Sequence, residues 1–323
     1  MKIRKQLKAN PLLRRFGKKI KIYSEFFHDA VGFSRYYIES AEKKGDYRYS
    51  IMLLVHSLEK GMCMAELRPF GLEKVRELMQ ILRAYKEKDD FEYQLGISIL
   101  HSWKRFFEEH DWCDEKAYRE VTKFLSTCDT VDVEAGWKIY SFPADGLDAE
   151  AYAKVISSRH SVRDFQDKPL NMQDIDYAVK CFIETPTACN RQMCRLIYVS
   201  NPEITALLNK TLIGIPGFNK DTVQFFVISY DLAAFAYSGE RQQGLFNAGL
   251  CAMNFVNGLH VKGIGSCCLQ WSNKNVEDKH VRKALKLKTS ERIGVVIGAG
   301  YYLDYNAIPC SVRRDKDSVF RII

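Results

Sequence analysis

The sequence predicts an α+β fold over its second half, preceded by an all-helical N-terminal domain. Two contrasts along the 323 residues carry that prediction. From 33 to 128, apolar residues recur at three- and four-residue spacing, with little β-branched alternation, which is the pattern of successive amphipathic helices. From 149 onward, helical windows alternate with short β-branched and aromatic runs. They lack the regular spacing of βαβ units, so a mostly antiparallel or mixed sheet flanked by helices is expected. Between the two textures, 129–148 contains Gly136, Pro143 and Gly146 and reads as a connector. The expected divisions are a basic segment at 1–32, a helical domain at 33–148 and the α+β domain at 149–323.

Composition sets the outer limits. At 46% hydrophobic and 27% charged, the chain is an ordinary folded sequence of roughly two domains. No stretch approaches the ~18 uninterrupted apolar residues of a membrane span. The ten cysteines form neither CxxC pairs nor a Cys/His zinc pattern, so a reducing, cytoplasmic setting is expected.

The net charge of +8 is local. Residues 1–22 carry +9 through Lys2, Arg4, Lys5, Lys8, Arg14, Arg15, Lys18, Lys19 and Lys21, so the remaining 301 residues sum to −1. A broad nucleic-acid face is therefore not expected. The leading segment lacks the apolar run and cleavage site of a signal peptide. Ile3, Leu7, Leu12, Leu13, Phe16 and Ile20 interleave with its charges, suggesting a basic amphipathic stretch broken near Pro11. It is either a peripheral contact with an anionic membrane or an acidic partner, or a solvated extension.

Along the helical half, Ile51, Leu54, Val55 and Leu58 share one helix face, with Lys60 and Gly61 at its expected end. Further helical windows run over 72–85, 93–107 and 115–125. His56 and Glu59 lie three apart. Two such groups are a weak metal signal, so a hydrogen-bonded histidine at a helix contact is expected and no metal site. In the second half a helix at 149–157 leads into SSRHSVRDF, and a second helix follows at 172–183. Strands are expected at 195–199 and 223–230, a long helix at 241–261, and strands at 266–271 and 293–299. Gly244, Gly249 and Gly258 on the long helix imply close approach of another backbone, since each costs about 1 kcal/mol against alanine. That backbone belongs either to the same protomer or to a partner.

Several chemistries are excluded. GVVIGAG at 294–300 has the wrong spacing for a dinucleotide fingerprint, and no helix follows it. No GxxxxGK[ST] or GxSxG is present. Arg159, Ser161 and Arg163 place two guanidinium groups and a hydroxyl within five residues, a set suited to phosphate oxygens. Cys189, Cys194, Cys267 and Cys268 fall near the same motifs and read as small buried hydrophobes rather than redox thiols.

Four ordered stretches carry a resemblance. SSRHSVRDF resembles the RRSxRxF signature that opens the FMN-dependent nitroreductase family, with His160 in place of the usual second arginine. TPTACNRQ at 185–192 resembles that family's PSxxNxQPW segment. GLHVKGIGSCCLQW resembles its helix-to-strand passage beside the flavin, and SVRRDKDSV its closing basic motif. The match covers roughly 150–323. The helical half resembles, more loosely, extensions on nitroreductase-like proteins associated with bacterial surface polysaccharide genes, in HSLEKG and Phe70-Gly71.

The resemblance implies a nitroreductase-like fold and an FMN oxidoreductase. NADH or NADPH would act as transient hydride donor to flavin N5. A small acceptor (nitro, quinone or activated alkene compound) would then take the electrons, in a ping-pong scheme. It implies a homodimer with FMN at the interface and no catalytic side chain. Arg159, His160, Ser161, Arg163 and Arg313 or Arg314 would then surround the FMN phosphate and ribityl chain. Pro186, Thr187, Asn190 and Gln192 would reach the isoalloxazine of the neighbouring protomer's FMN. Backbone groups of Cys268, Leu269, Gln270 and Trp271 would border the flavin. Met193-Cys194 replaces the family's Pro-Trp, and Trp271 stands where glycine is common, so Met193 and Trp271 are expected to narrow the acceptor pocket. A usual FMN-binding lysine or asparagine between the first two strands has no clear counterpart. A non-catalytic flavin-bound scaffold at a membrane or polysaccharide-biosynthesis assembly is the alternative.

Overall fold

The computed structural model describes residues 11–38 and 46–323. The N-terminal half is helical: α1 (Pro11–Tyr36), α2 (Arg48–Met62), α3 (Leu72–Ala84), α4 (Phe91–Glu109) and α5 (Lys116–Leu125). Pro11 is the first described residue of α1, and the expected break near it turns on residues 1–10, outside the described residues. The basic residues at 2–8 lie outside the described residues. α4 buries Leu95, Ile99, Trp103, Phe106 and Phe107, the three- and four-residue rhythm expected of a helix facing a core. Trp103 and Phe107 stack closely there, and the Trp103 indole N–H donates to Phe70 O at 3.1 Å.

The two short motifs of this half meet in space. Gly61, at the end of HSLEKG, lies directly under the Phe70 ring, where a Cβ would fall 2.2 Å from ring carbons. Gly71 caps α3 at φ +71°, a conformation glycine adopts without strain. His56 Nδ1 lies 3.4 Å from Glu59 Oε2 on one face of α2.

The second half contains α6 (Ala149–Ser158), α7 (Met172–Ile183), β1 (Cys194–Val199), α8 (Pro202–Thr211), β2 (Gln224–Asp231), α9 (Gln243–Val261), β3 (Ile264–Leu269), α10 (Asn275–Ala284), β4 (Glu291–Tyr301) and the short α11 (Lys316–Val319). The four strands form one antiparallel sheet in the order β1-β2-β4-β3, with one parallel bridge between Ser161 and Ser266 at its edge. β2 is buried on both faces. Phe226 and Ile228 point to the side of α9, and Phe225 and Val227 to the opposite core with Leu208 and Val281. This is why 223–230 reads as a continuous apolar run rather than an alternating one. Gly294 sits where the β2–β4 register shifts, and a Cβ there would fall 2.6 Å from that of Ala248 on α9.

Two helices of this half escape a reading by apolar periodicity but carry clear end signals. α8 opens with Asn201-Pro202-Glu203, and Asn201 Oδ1 accepts from the N–H groups of Glu203 and Ile204. α10 places Glu277 and Asp278 in its first turn and Arg282 and Lys283 in its last, which complements the helix dipole. The glycines of α9 separate by role. Gly258 touches the backbone of α7 at Ala178, Gly244 lies under Tyr230, and Gly249 faces open space.

The two halves share one apolar interior. α2 packs against the turns at 188–190 and 232–234. Buried Tyr49 donates its hydroxyl to Asp231 Oδ2 at 3.2 Å, and Phe33 stacks on Phe235 with centroids 5.9 Å apart. No described helix is long and apolar enough to cross a membrane.

Candidate anion site and the strained segment 187–192

The first cluster forms where the chain leaves α6. Asp148 caps α6 by accepting from Ala151 N at 2.8 Å, and the helix ends at Arg159. The chain then runs beside β3, with Val162 N donating to Ser266 O at 3.1 Å. Arg159, His160, Ser161 and Arg163 thus line the β3 edge of the sheet. Among the described residues neither Arg159 nor Arg163 has a carboxylate partner. The Arg163 guanidinium lies 6.0 Å from the Phe218 ring centre and 3.5 Å from Ser161 O. Two half-buried guanidinium groups without a counter-charge make a site that favours an anion with several oxygens.

The charge of Arg159 is felt by three groups around it. Burial raises the pKa of Cys268, the Cys267 thiol adds to this, and Arg159 opposes it, leaving Cys268 at about 11. Burial raises Tyr302, again against Arg159. Burial lowers His260, and both Arg159 and His160 push it further down. His260 Nε2 lies 2.8 Å from Ser158 Oγ and its Nδ1 2.9 Å from the Tyr302 hydroxyl. Because Ser158 donates its proton to Lys154 O at 2.6 Å, the network assigns the His260 proton to Nε2, with Tyr302 donating to Nδ1. Sequence reasoning did not single out His260. It lies within GLHVKG, but nothing in its spacing indicates that α9 returns it to the end of α6.

The second cluster is 187–192. Cys189, Asn190 and Gln192 all have left-handed backbone, at φ +52°, +50° and +47°. Asparagine tolerates this; cysteine and glutamine adopt it at a cost, so the fold must enforce it. Thr187 accepts from Asn190 N at its carbonyl and from Gln192 N at Oγ1, both at 2.9 Å. Ala188 N donates to Asn247 Oδ1 on α9.

Arg191, also missed, is 1% exposed and clamps the loop from below. Its Nε donates to Ala188 O at 3.0 Å, and its Nη1 to Glu240 Oε2 at 3.2 Å. Burial raises the Glu240 carboxyl, but Arg191 and two backbone N–H groups outweigh it, and its pKa falls below the ordinary value. Thr187 and Gln192, with Phe182, Thr185, Arg195 and Cys251, line a cavity of ≈ 280 Å³. Pro186 and Asn190 are exposed beside them.

The structure brings each cluster together but keeps the two apart. Segment 187–192 precedes β1, and Arg159–Arg163 lie along the outer edge of β3, so they occupy opposite edges of the sheet, about 19 Å apart across four strand spacings. Leu269 closes β3 buried; beyond it Gln270 is exposed, and the Trp271 indole N–H donates to Asp278 Oδ1 at 2.9 Å. Met193, expected at the acceptor pocket, is instead fully buried; β1 begins just after it, and its carbonyl accepts from Asp231 N. Arg313 and Arg314 are exposed, on a segment whose apolar residues Val312, Val319, Phe320 and Ile322 also face solvent.

Comparison with known proteins finds similarity in the second half of the chain. The sequence pattern of the nitroreductase family matches residues 156–226 and 218–301. Among solved structures, an FMN-dependent nitroreductase from Clostridium difficile R20291 is 20% identical with a TM-score of 0.45, covering 52% of this chain and 98% of that one. A nitroreductase family protein from Streptococcus pneumoniae TIGR4 is 21% identical with a TM-score of 0.44, covering 53% and 100%. One from Clostridium novyi NT is 16% identical with a TM-score of 0.43, covering 47% and 86%. No curated protein matches the sequence. The matched span, 156–301, contains Arg159, Ser161, Arg163, the 187–192 segment and all four strands, and over it the chain is similar to the nitroreductase family.

Proposed function

We propose that the protein is an FMN-dependent oxidoreductase that transfers hydride equivalents from NADH or NADPH to a small nitro, quinone or activated alkene acceptor. The observation that carries this is the pair of unpaired guanidinium groups, Arg159 and Arg163, beside β3 in a domain similar to the nitroreductase family. Their charge, with the Ser161 hydroxyl, fits a phosphomonoester of about −1.5 to −2. Bound FMN would supply the two-electron chemistry, which no side chain of the site needs to provide.

The chain's own task is to bind and orient. Arg159, His160, Ser161 and Arg163 would hold the phosphate end. The backbone of Cys268–Trp271, continuing from the β3 edge, would border the ring. The rigid segment 187–192 would present Thr187, Asn190 and Gln192 to the ring of a neighbouring protomer. Arg313 or Arg314 would join the phosphate cluster.

A homodimer is part of this proposal. α9 leaves Leu245, Phe246, Leu250 and Met253 exposed along one stripe, with Gly249 open between them. A second copy covering that stripe would bring together the two sheet edges that one chain keeps apart. The divisions at 1–32, 33–148 and 149–323 belong to the same proposal, with a peripheral contact through the basic N-terminal segment. The test is the visible spectrum of the FMN-supplemented protein, followed by anaerobic NADH and NADPH. Bound flavin bleached by either donor, and recovered by an added quinone, is the expected result. Protein that binds no flavin would end this reading, and bound flavin that no acceptor reoxidises would favour the scaffold.

A further inference from the structure

Helix α1 is attached the wrong way round for a helix of a globular protein. Residues 25, 29, 32 and 36 form the stripe that meets the body. Glu25 Oε2 accepts from Asn275 N at 3.3 Å, and Asp29 lies in the field of Arg292. Gly32 presses against the Arg292 guanidinium, which also lies over the Tyr36 ring at 6.0 Å. The opposite stripe, at 16, 20, 23, 27 and 31, is apolar and faces outward. Phe16, Ile20, Tyr23, Phe27 and Val31 are between 47% and 68% exposed. An amphipathic helix that docks its polar face and exposes its aromatic one requires a cover.

Charge identifies the cover. Arg15, Lys18, Lys19 and Lys21 are exposed around the rest of the helix, with Lys19 bordering the apolar stripe, and no acidic residue precedes Glu25. Residues 1–22 carry +9, so a second copy of α1 offers no matching negative surface. A second copy laid along this stripe would set like charges side by side. An anionic bilayer supplies both missing components, negative headgroups for the lysines and an acyl boundary for the aromatic rings.

We infer that α1 lies flat on an anionic lipid surface, with Phe16, Ile20, Tyr23, Phe27 and Val31 at the acyl boundary and Arg15, Lys18, Lys19 and Lys21 against the headgroups. This names the partner of the N-terminal contact proposed above and needs neither flavin nor turnover.

The test is cosedimentation of the full-length protein with vesicles of phosphatidylcholine alone or mixed with phosphatidylglycerol, with and without added FMN, so that failure here leaves the flavin reading intact. The mixed vesicles are expected to bind at least about tenfold more protein than the neutral ones, since each surface-bound Lys or Arg contributes roughly fivefold. That advantage collapses near 1 M salt, where charges are screened within about 3 Å. Lys18→Glu, Lys19→Glu and Lys21→Glu together lower binding about a hundredfold or more. Phe16→Ser with Phe27→Ser also abolishes it; both side chains are exposed, so the fold is not at stake. Equal binding to neutral vesicles, no binding to mixed ones, or binding unchanged in the serine variant would overturn the inference. So would a Phe27→Cys variant that gains an inter-chain disulfide without lipid, which would assign the stripe to a second copy.

Discussion

Helices α2–α5 and the domain similar to the nitroreductase family solve the same packing problem to different degrees of completeness. Around the helices, polar groups near the core are closed in pairs. Ser102 donates to Ala135 O at 2.6 Å, Ala135 N donates to Ser98 Oγ at 2.9 Å, and Trp103 reaches Phe70 O. In the family domain, Arg159 and Arg163 have no counter-charge and α9 shows an apolar stripe. Among the described residues, the four buried side-chain polar atoms without a partner, on Asn209, Thr222, Asn257 and Asn273, all belong to this domain. A region whose physics closes within one chain is built for stability. One that leaves charges, donors and apolar area open is built to receive something.

Three changes test that contrast. Trp103→Ala should have the largest effect, because the ring is fully buried: about 3–5 kcal/mol of stability lost. Urea unfolding followed alongside flavin titration should show the loss with FMN affinity unchanged wherever the protein remains folded; a parallel loss of affinity would blur the two regions. Arg159→Ala should do the reverse. Removing one charge-assisted contact of about 1.5–3 kcal/mol weakens FMN binding roughly ten- to hundredfold, with the unfolding midpoint little moved. Unaltered flavin affinity would remove Arg159 from the site.

The smallest effect is in pH dependence. His260 has a folded-state pKa below its ordinary value of about 6.5, because burial and the neighbouring charges disfavour its protonated form. Below that value the unfolded chain takes up a proton that the folded one resists, so stability rises with pH just under 6.5 and is level above it. His260→Gln should flatten part of that slope, with His101, whose pKa is lowered by partial desolvation, accounting for a further share. A slope identical to the parent's would mean that the Ser158–His260–Tyr302 chain holds no titrating histidine.

What was legible in the sequence follows the range of each signal. The strands and the helices at 172–183 and 72–84 follow from local periodicity, and they formed within a residue or two of expectation. α8 and α10 were missed because their cores are small, Leu208 and Val281 alone being fully buried, and their evidence lies in caps and dipole charges. The motif residues 159–163 and 187–192 could be picked out, but not that they lie on opposite sheet edges, since strand order is a long-range property. Arg191 was read past as motif filler, although it holds the loop's shape. Met193 was assigned to a pocket because it follows that loop; in fact the chain turns inward at that residue.

The separation of the two half-sites has a consequence at the level of heredity. If each complete site draws the β3 edge from one protomer and the 187–192 loop from the other, two defective alleles need not be equivalent to one. A variant lacking Arg159 and Arg163 and another lacking Thr187 and Asn190 would each be inactive as homodimers. Coexpressed, they would assemble mixed dimers in which one site inherits both lesions and the other inherits neither, restoring about a quarter of all sites.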